Sequence, residues 1–211
     1  MNYYIGDLHL FSDSQLSGSK RDFDNRPFES IDEMHEKIIE RWNTVVQQTD
    51  KVYILGDIGR RGGRTDQIEL ISRCRGRKIL IRGNHDDTND VRYQQLFEEI
   101  CDYKEIKDYA NAKSYHLVLC HYPILIWNGQ HRGSILIYGH THCSSEDMIF
   151  QESLNRLKQL ASFSEKHKGR ENCLAYNVGC MQPVMNYTPR TLQELMGEAL
   201  WDTFTESELP S

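Results

Sequence analysis

Short apolar segments that end abruptly on polar residues recur along this chain and restrict its fold more than any other feature. They are YYIGDLH, KVYILGDIG, KILIRGNHD, HLVLCHYP, SILIYGHTH and, later, CLAYNVGC. Most of the apolar parts stop at a glycine that is followed by an acid, an amide or a histidine. Such segments are typical of buried strands, whose ends open into the loops where sheets covered by helices usually bind ligands.

Helical segments are predicted between these strands. Residues 30–48 begin with Ser30 and Glu33, which have the spacing of a capping box, and their apolar residues fall on one helical face. Thr191 and Glu194 repeat that spacing near the end of the chain. Further helices are predicted at 65–74, at 89–100 and after residue 191. The alternation of strands and helices indicates a mixed α/β protein.

A single domain covering residues 1–211 is expected, because 211 residues with 38% hydrophobic content can bury one substantial core. Residues 144–172 are predicted to be a helical insertion within that domain, since Phe150, Leu154 and Leu157 follow helical spacing. The segment 12–29 stands apart from the rest because it is polar.

Charge and cysteine content argue against several classes of protein. The net charge of -6 does not suit extended nucleic-acid binding or an acidic membrane surface. The six cysteines include no C-x-x-C pair, so neither a zinc knuckle nor a thioredoxin-like motif is indicated. The chain starts without a signal-peptide pattern and contains no apolar run long enough to cross a bilayer. We therefore expect a cytoplasmic protein without a membrane partner.

Metal-binding side chains cluster at the predicted strand ends. Asp7 and His9 are two residues apart, as are His140 and His142, and in an extended chain that spacing points both side chains of a pair to one side. Other strand ends add three more donors. The full set of candidate ligands is Asp7, His9, Asp57, Asn84, His121, His140 and His142.

Seven donors are more than one catalytic zinc ion uses, but they suit two adjacent divalent ions if one carboxylate spans both. Asp57 is the natural bridge, because each of its two oxygens can bind one ion. The donors are imidazole, carboxylate and amide groups without a thiolate. This set indicates Mn, with Fe, Zn, Co or Ni as alternatives.

The ordered motifs of this chain closely resemble those of the calcineurin-like metallophosphoesterases. They are D-x-H at Asp7, G-D at Asp57, G-N-H-D from Gly83, the single His121, and G-H-x-H from Gly139. The match extends over about residues 5–142, and several motifs in one order are far more specific than any single one. NVGC is similar to the closing Asn-x-Gly-Ser segment of many members. NRPF, EM and RWN resemble a subgroup of small bacterial and phage members.

The resemblance implies a four-layer sandwich of two mixed β-sheets flanked by helices. It assigns Asp7, His9 and His142 to one ion. The other ion is assigned Asn84, His121 and His140. The shared ligand is Asp57, and a hydroxide between the ions would be the nucleophile. His85 is the expected general acid, and Asp86 is the expected partner that orients its ring.

A charge count indicates an anionic substrate. Two divalent ions give +4, and two carboxylates with one hydroxide subtract 3, which leaves +1. That charge matches a phosphodiester, whereas a monoester dianion calls for a further cation. The loop GRRGGR and other positions offer arginines for this purpose, namely Arg26, Arg60, Arg61, Arg64 and Arg82. We expect a small phosphoester substrate, nucleotide-like in character.

Two other functions stay open from the sequence. A nuclease acting on single-stranded nucleic-acid ends is one, although the negative net charge disfavours it. A non-catalytic interaction scaffold of the same fold is the other. His85 and all seven candidate ligands are present, which favours an enzyme. We interpret the histidines outside these motifs as packing or surface residues. The cysteines next to candidate ligands, Cys120 and Cys143, are interpreted as packing residues.

Overall fold

Two four-stranded sheets form the centre of the computed structural model, which describes residues 1–20, 23–59, 65–162 and 173–197. The strands of the first sheet, in spatial order, are β1 (Asn2–Ile5), β2 (Lys51–Ile54), β3 (Arg77–Ile81) and β4 (Phe97–Cys101), and neighbouring strands are parallel. The strands of the second sheet are β5 (Tyr103–Ala110), β6 (Lys113–Cys120), β7 (Ile135–Tyr138) and β8 (Leu174–Asn177). In the second sheet β5 and β6 are antiparallel, and the other neighbouring pairs are parallel.

Within the described residues, five α-helical segments accompany the sheets. They are α1 (Ile31–Val45), α2 (Thr65–Ser72), α3 (Val91–Gln94), α4 (Ser145–Ser162) and α5 (Leu192–Leu195). Across the described ranges, none of these helices is long and apolar enough to span a bilayer.

The first sheet lies between α1 and the second sheet. The hydroxyl of Tyr3 donates to the backbone oxygen of Val45 at the end of α1, at 2.9 Å. The hydroxyl of Tyr4 donates to Asp108 on β5, at 2.7 Å. Because successive residues of a strand point to opposite faces, β1 contacts the helix with one side chain and the second sheet with the next.

The second sheet has α4 on its outer face. Leu117 and Leu119 of β6 belong to the main core between the sheets. Val118 belongs instead to a second apolar cluster with Phe150 and Leu154 of α4. The layers are thus α1, first sheet, second sheet and α4, which confirms the expected sandwich. The described part of the predicted insertion is therefore a structural layer, and residues 163–172 lie outside the described ranges.

Two expectations about secondary structure need correction. Residues 89–100 were expected to form one helix, but only Val91–Gln94 are helical and Phe97–Cys101 form β4. Pairing with β3 decides this, because the free edge of the first sheet accepts these residues as a parallel strand. The first sheet was also expected to be mixed. Its named strands are parallel, and the antiparallel contact is a single bridge between Tyr4 and Arg190.

Both predicted capping sequences start helices. The hydroxyl of Ser30 accepts the backbone N–H of Glu33, while the Glu33 carboxylate accepts the N–H of Glu29 in place of Ser30. At α5 both bonds of the box form between Thr191 and Glu194. The first helix ends three residues before its predicted boundary, because the residue after Val45 is extended.

Candidate metal centre

The candidate site lies at one edge of the sandwich, where the carboxyl ends of β1, β2, β3, β6 and β7 meet. A parallel bridge between Gly6 and Gly179 joins the chain beyond β1 to the segment beyond β8, and so connects the two sheets at this edge. The backbone N–H of Gly139 donates to the oxygen of His121. The first contact joins strand ends of the two sheets and the second joins the ends of β6 and β7, so the strand ends converge as the recurring sequence pattern predicts.

The backbone at the strand ends is left-handed, not extended. Five of the candidate ligands have positive φ angles, namely Asp7 (52°), His9 (48°), Asp57 (53°), His140 (70°) and His142 (51°). An extended chain was expected at both pairs from their spacing, and the structure corrects this expectation. A left-handed residue costs about 1–3 kcal/mol, so the surrounding structure must hold each one in place.

One group of ligand atoms consists of Asp7, His9 and His142, within 4.8 Å of one another. The Nε2 atoms of the two histidines are 3.1 Å apart. The Nε2 atom of His142 lies 3.9 Å from Oδ1 of Asp7. All three residues are buried, with Asp7 fully inaccessible.

A second group consists of Asp57, His121 and His140, again within 4.8 Å. The Nε2 atom of His121 is 3.2 Å from Oδ1 of Asn84 and 3.6 Å from Oδ2 of Asp57. The candidate ligands of the second ion therefore lie together, as the resemblance implies. Asn84 is exposed, so this side of the site opens to solvent.

Asp57 lies between the two groups. Its Oδ2 atom is 3.7 Å from Nε2 of His9 and 3.6 Å from Nε2 of His121. Its Oδ1 atom accepts the backbone N–H of His85 at 2.8 Å. Gly83 allows this approach, because a Cβ atom there would clash with Oδ1 of Asp57 and lie 2.7 Å from its backbone nitrogen. One carboxylate thus reaches both groups.

Two histidines are held in the tautomer that a metal ligand needs. Nδ1 of His121 lies 2.6 Å from the backbone oxygen of Leu55, so it carries the proton and leaves the lone pair of Nε2 facing the site. Nδ1 of His142 lies 2.7 Å from Oδ1 of Asp24 and donates in the same way. Partners of this kind fix ring orientation in metal sites.

The buried charges also fit bound cations. Asp7 and Asp57 are buried, and among the described residues their ion-pair contacts are with histidines. Burial raises the pKa of Asp7 to about 6, although the nearby His142 and the N–H of His140 oppose the rise. Burial, followed by the charge of His142, lowers the pKa of His9. Buried carboxylates normally have cationic partners, and two divalent ions would supply them.

The role expected for Asp86 needs correction. Its carboxylate accepts backbone N–H groups from Asp57 and Gly83, both at 2.8 Å, and from Ile58 at 3.0 Å. Asp86 therefore fastens the loops after β2 and β3 to each other, and its recorded bonds do not include the ring of His85. That ring stands edge-to-face against His9, with 5.1 Å between the ring centres.

The substrate role expected for Arg26 is wrong in this structure. Its side chain is 0% exposed and donates to the backbone oxygens of Asp7 and Leu8, at 2.8 and 2.7 Å, and to Asp24. Such a guanidinium has no face left for a ligand. Arg82 forms a two-bond pair with Asp102, at 2.8 Å for each bond. The predicted cations Arg60, Arg61 and Arg64 lie outside the described residues.

Sequence reasoning missed Asp24 and Asn177. The amide of Asn177 donates to the backbone oxygen of His142 at 3.1 Å and to Asp147 at 3.0 Å, which ties the NVGC segment to the loop after β7. Asp24 directly precedes the NRPF segment. The resemblance therefore pointed to the right segment without identifying the residue.

An open cavity of about 880 Å³ is lined by five of the seven candidate ligands. One wall comes from the polar segment after β1, and the exposed ring of Phe23 stands edge-to-face against His142, with 5.1 Å between ring centres. Lys20 contributes a cation to the lining. The floor of the cavity consists of His9, Asp57, Asn84, His85, His140 and His142.

Comparisons with known proteins agree with the fold and with the family resemblance of the motifs. A family model for calcineurin-like phosphoesterases matches residues 3–173. The chain is 30% identical over 142 residues to the uncharacterised protein MJ1445 of Methanocaldococcus jannaschii, covering 66% of this chain and 72% of that protein. It is 29% identical over 179 residues to the Gene 66 protein of Mycobacterium phage L5, covering 73% and 82% respectively.

Among solved structures, the protein of unknown function AQ665 from Aquifex aeolicus shares the fold. The TM-score is 0.61 at 21% identity, over 90% of this chain and 94% of that one. The family model spans most of the sequence and includes every candidate metal ligand. This chain therefore belongs to the calcineurin-like phosphoesterase family.

Proposed function

We propose that this protein is a metal-dependent phosphoric ester hydrolase that uses two divalent ions, Mn in the first place, to cut a phosphodiester. Fe, Zn, Co and Ni are the alternative ions, and a monoester is the alternative substrate. The observation that carries the proposal is the position of Asp57, whose Oδ2 atom lies 3.7 and 3.6 Å from histidines of two separate ligand groups.

The residues that would hold the ions divide into two sets around Asp57. Asp7, His9 and His142 form one set, and the other set consists of Asn84, His121 and His140. When bound, two divalent ions lower the pKa of a shared water molecule and stabilise negative charge on the phosphoryl group. The protein supplies the buried carboxylates that attract the ions and the fixed imidazoles that orient them.

His85 is placed to hold a proton for the departing oxygen. Its backbone is anchored to Oδ1 of Asp57, and its ring lines the cavity beside His9. The ring is partly exposed, so it can exchange protons with solvent and contact a substrate above the ligands. A general acid in this position neutralises the charge that develops on the leaving group.

The cavity favours a small diester with an aromatic or nucleotide-like leaving group. Its volume of about 880 Å³ is within the range of ligand pockets. Phe23 is 61% exposed and offers a face for ring stacking. The net charge of +1 at the two ions matches a diester monoanion, whereas Lys20 in the described lining is a further cation that the alternative monoester dianion could use. A nuclease on single-stranded ends is the second candidate, because stacking on Phe23 would also suit a terminal base.

The first experiment measures hydrolysis by metal-stripped protein before and after addition of Mn²⁺. Bis(p-nitrophenyl) phosphate, p-nitrophenyl phosphate and a short single-stranded oligonucleotide are compared as substrates. We expect Mn²⁺ to restore hydrolysis and the small diester to be preferred. Metal binding without hydrolysis of any substrate would favour the interaction scaffold. A strong preference for the monoester would refute the charge argument.

The second experiment tests His85. His85→Ala should lower kcat by about 10²–10⁴-fold, which is the usual contribution of a general acid, while the metal content stays the same. His116→Ala is the matched control, because His116 is a surface histidine that pairs with Glu105 at 2.8 Å. Loss of metal from the His85 variant would show that this residue is a ligand instead.

A further inference from the structure

A buried ion pair adjoins one of the two ligand groups and is not part of it. Both oxygens of Asp24 lie close to Nδ1 of His142, at 2.7 and 2.9 Å. Its Oδ2 atom also accepts Nε and Nη2 of Arg26, at 3.0 and 2.8 Å. The side chains of Asp24 and Arg26 are 2% and 0% exposed, so this pair is shielded from solvent.

Arg26 connects the same group a second time through the backbone. Its Nη2 atom donates to the oxygen of Asp7 at 2.8 Å, and its Nη1 atom donates to the oxygen of Leu8 at 2.7 Å. These carbonyls flank the left-handed turn that presents Asp7 and His9. A single guanidinium thus contacts the backbone of one pair of ligands and, through Asp24, the ring of His142.

The second ligand group has different supports. His121 is fixed by the backbone oxygen of Leu55 at 2.6 Å, and the backbone around Asp57 is fixed by Asp86. The recorded contacts of Asp24 and Arg26 include neither of these residues. The support from Asp24 and Arg26 is thus confined to the first group, although the backbone N–H of His9 donates to the oxygen of Asp57 and that of His140 donates to Asp7.

From this geometry we infer that Asp24 and Arg26 are positioning residues that set the metal affinity of one position, the one formed by Asp7, His9 and His142. The inference rests on the metal binding of the proposed function and not on its hydrolytic activity. The charges of Asp24 and Arg26 cancel, so the pair adds no net charge to the site. Its effect is to keep the proton of His142 on Nδ1 and the lone pair of Nε2 toward the ion.

A role in stability alone is a weaker explanation for this pair. Buried ion pairs are often no more stabilising than apolar side chains of similar volume, because both charges must leave water. Here the second partner of the carboxylate is the ring of a candidate metal ligand. Partners of this kind typically change metal affinity by about 10- to 100-fold when they are removed.

The test is a titration of metal-stripped protein with Mn²⁺ by isothermal calorimetry. We expect two binding steps in the natural protein. In Asp24→Asn one step should weaken by about 10- to 100-fold, and the other should stay within about twofold. The reason is that the amide in this variant can turn its NH2 group either toward Nδ1 of His142 or toward the N–H groups of Arg26. The second orientation would set donors against donors, so the first is preferred. That orientation moves the proton of His142 from Nδ1 to Nε2.

Two further variants separate positioning from folding. Asp24→Asn leaves Arg26 buried without its partner, so this variant is compared with the double variant Asp24→Asn/Arg26→Met, in which no unpaired charge remains. The same binding step should weaken in both. Glu105→Gln is the matched control. It removes a carboxylate that contacts a surface histidine, His116, and should change neither binding step.

Histidine ¹⁵N spectra of the metal-free protein report on the position of the ring proton, which would not change if Asp24 had a purely structural role. We expect His142 to carry its proton on Nδ1 in the natural protein and to lose that preference in Asp24→Asn. Equal weakening of both binding steps, or no change in either, would overturn the inference. Hydrolysis is measured separately. Selective loss of one step in a protein without hydrolytic activity would refute the proposed function and leave this inference standing.

Discussion

The buried carboxylate of Asp7 makes the metal-free protein less stable as the pH rises. Burial raises the pKa of Asp7 from 3.8 to about 6 in the folded protein, while the unfolded chain keeps the ordinary value. The folded state therefore binds this proton more tightly than the unfolded state. The stability that the protonated form provides is complete below about pH 4 and is lost as the pH rises through about 6.

The size of the effect follows from the shift in pKa. A shift of about 2 units corresponds to about 3 kcal/mol of unfolding free energy, of which about 2 kcal/mol is lost between about pH 4.5 and about pH 7.5. Asp7→Asn cannot ionise, and its amide oxygen can still accept an N–H from His140. The unfolding free energy of this variant should therefore not show the fall that ionisation of Asp7 causes.

Urea unfolding in the presence of a chelator measures the unfolding free energy of the metal-stripped natural protein and of the Asp7→Asn variant. The difference in unfolding free energy between the natural protein and Asp7→Asn should change by about 2 kcal/mol over this pH range. Asp13→Asn, which changes an exposed carboxylate at the same cavity, is the control and should follow the natural protein. Added Mn²⁺ should recover the loss at high pH in the natural protein only. Parallel pH curves for the natural protein and Asp7→Asn would refute the reasoning.

Two other predictions concern packing. Gly83→Ala should weaken both metal-binding steps in the same Mn²⁺ titration, because its Cβ atom would force Asp57 to move and Asp57 serves both ligand groups; unchanged affinities would show that the loop adjusts without moving the carboxylate. Leu154→Ala should lower the unfolding free energy by about 2–4 kcal/mol in urea unfolding, because the side chain is 1% exposed in the cluster between α4 and the second sheet. Metal binding should be unchanged in this second variant, and a large loss of metal would contradict the layered arrangement.

The mixed α/β class and the convergence of the strand ends could be predicted from the residues, whereas the sandwich was implied by the resemblance of the motifs to a known family. Apolar residues that lead to glycine and then an acid, an amide or a histidine mark the ends of β1, β2, β3 and β7, because the strand and the turn are both local features. The β4 strand could not be predicted in this way. Its residues have no strong preference, and their pairing with the edge of β3 depends on a contact formed only in the folded chain.

The supports of the site show the same division between local and long-range information. Asp24 and His142 are 118 residues apart, so their hydrogen bond leaves no trace in local spacing. Arg26 was expected to serve as a cation for the substrate, yet its partners include backbone oxygens at the end of β1. A residue type indicates what a side chain can bind, and only the fold decides which partner it meets.

The left-handed turns at five candidate ligands are an energetic cost that arises during folding and not during metal binding. Each unfavourable dihedral angle is imposed as the chain folds, by the same sheet and loop contacts that build the core. Metal uptake would then require little further ordering of the backbone, unlike a zinc finger, which is unfolded until its ion binds. Ions should enter and leave an already shaped cavity, so exchange of one metal for another can proceed without global unfolding.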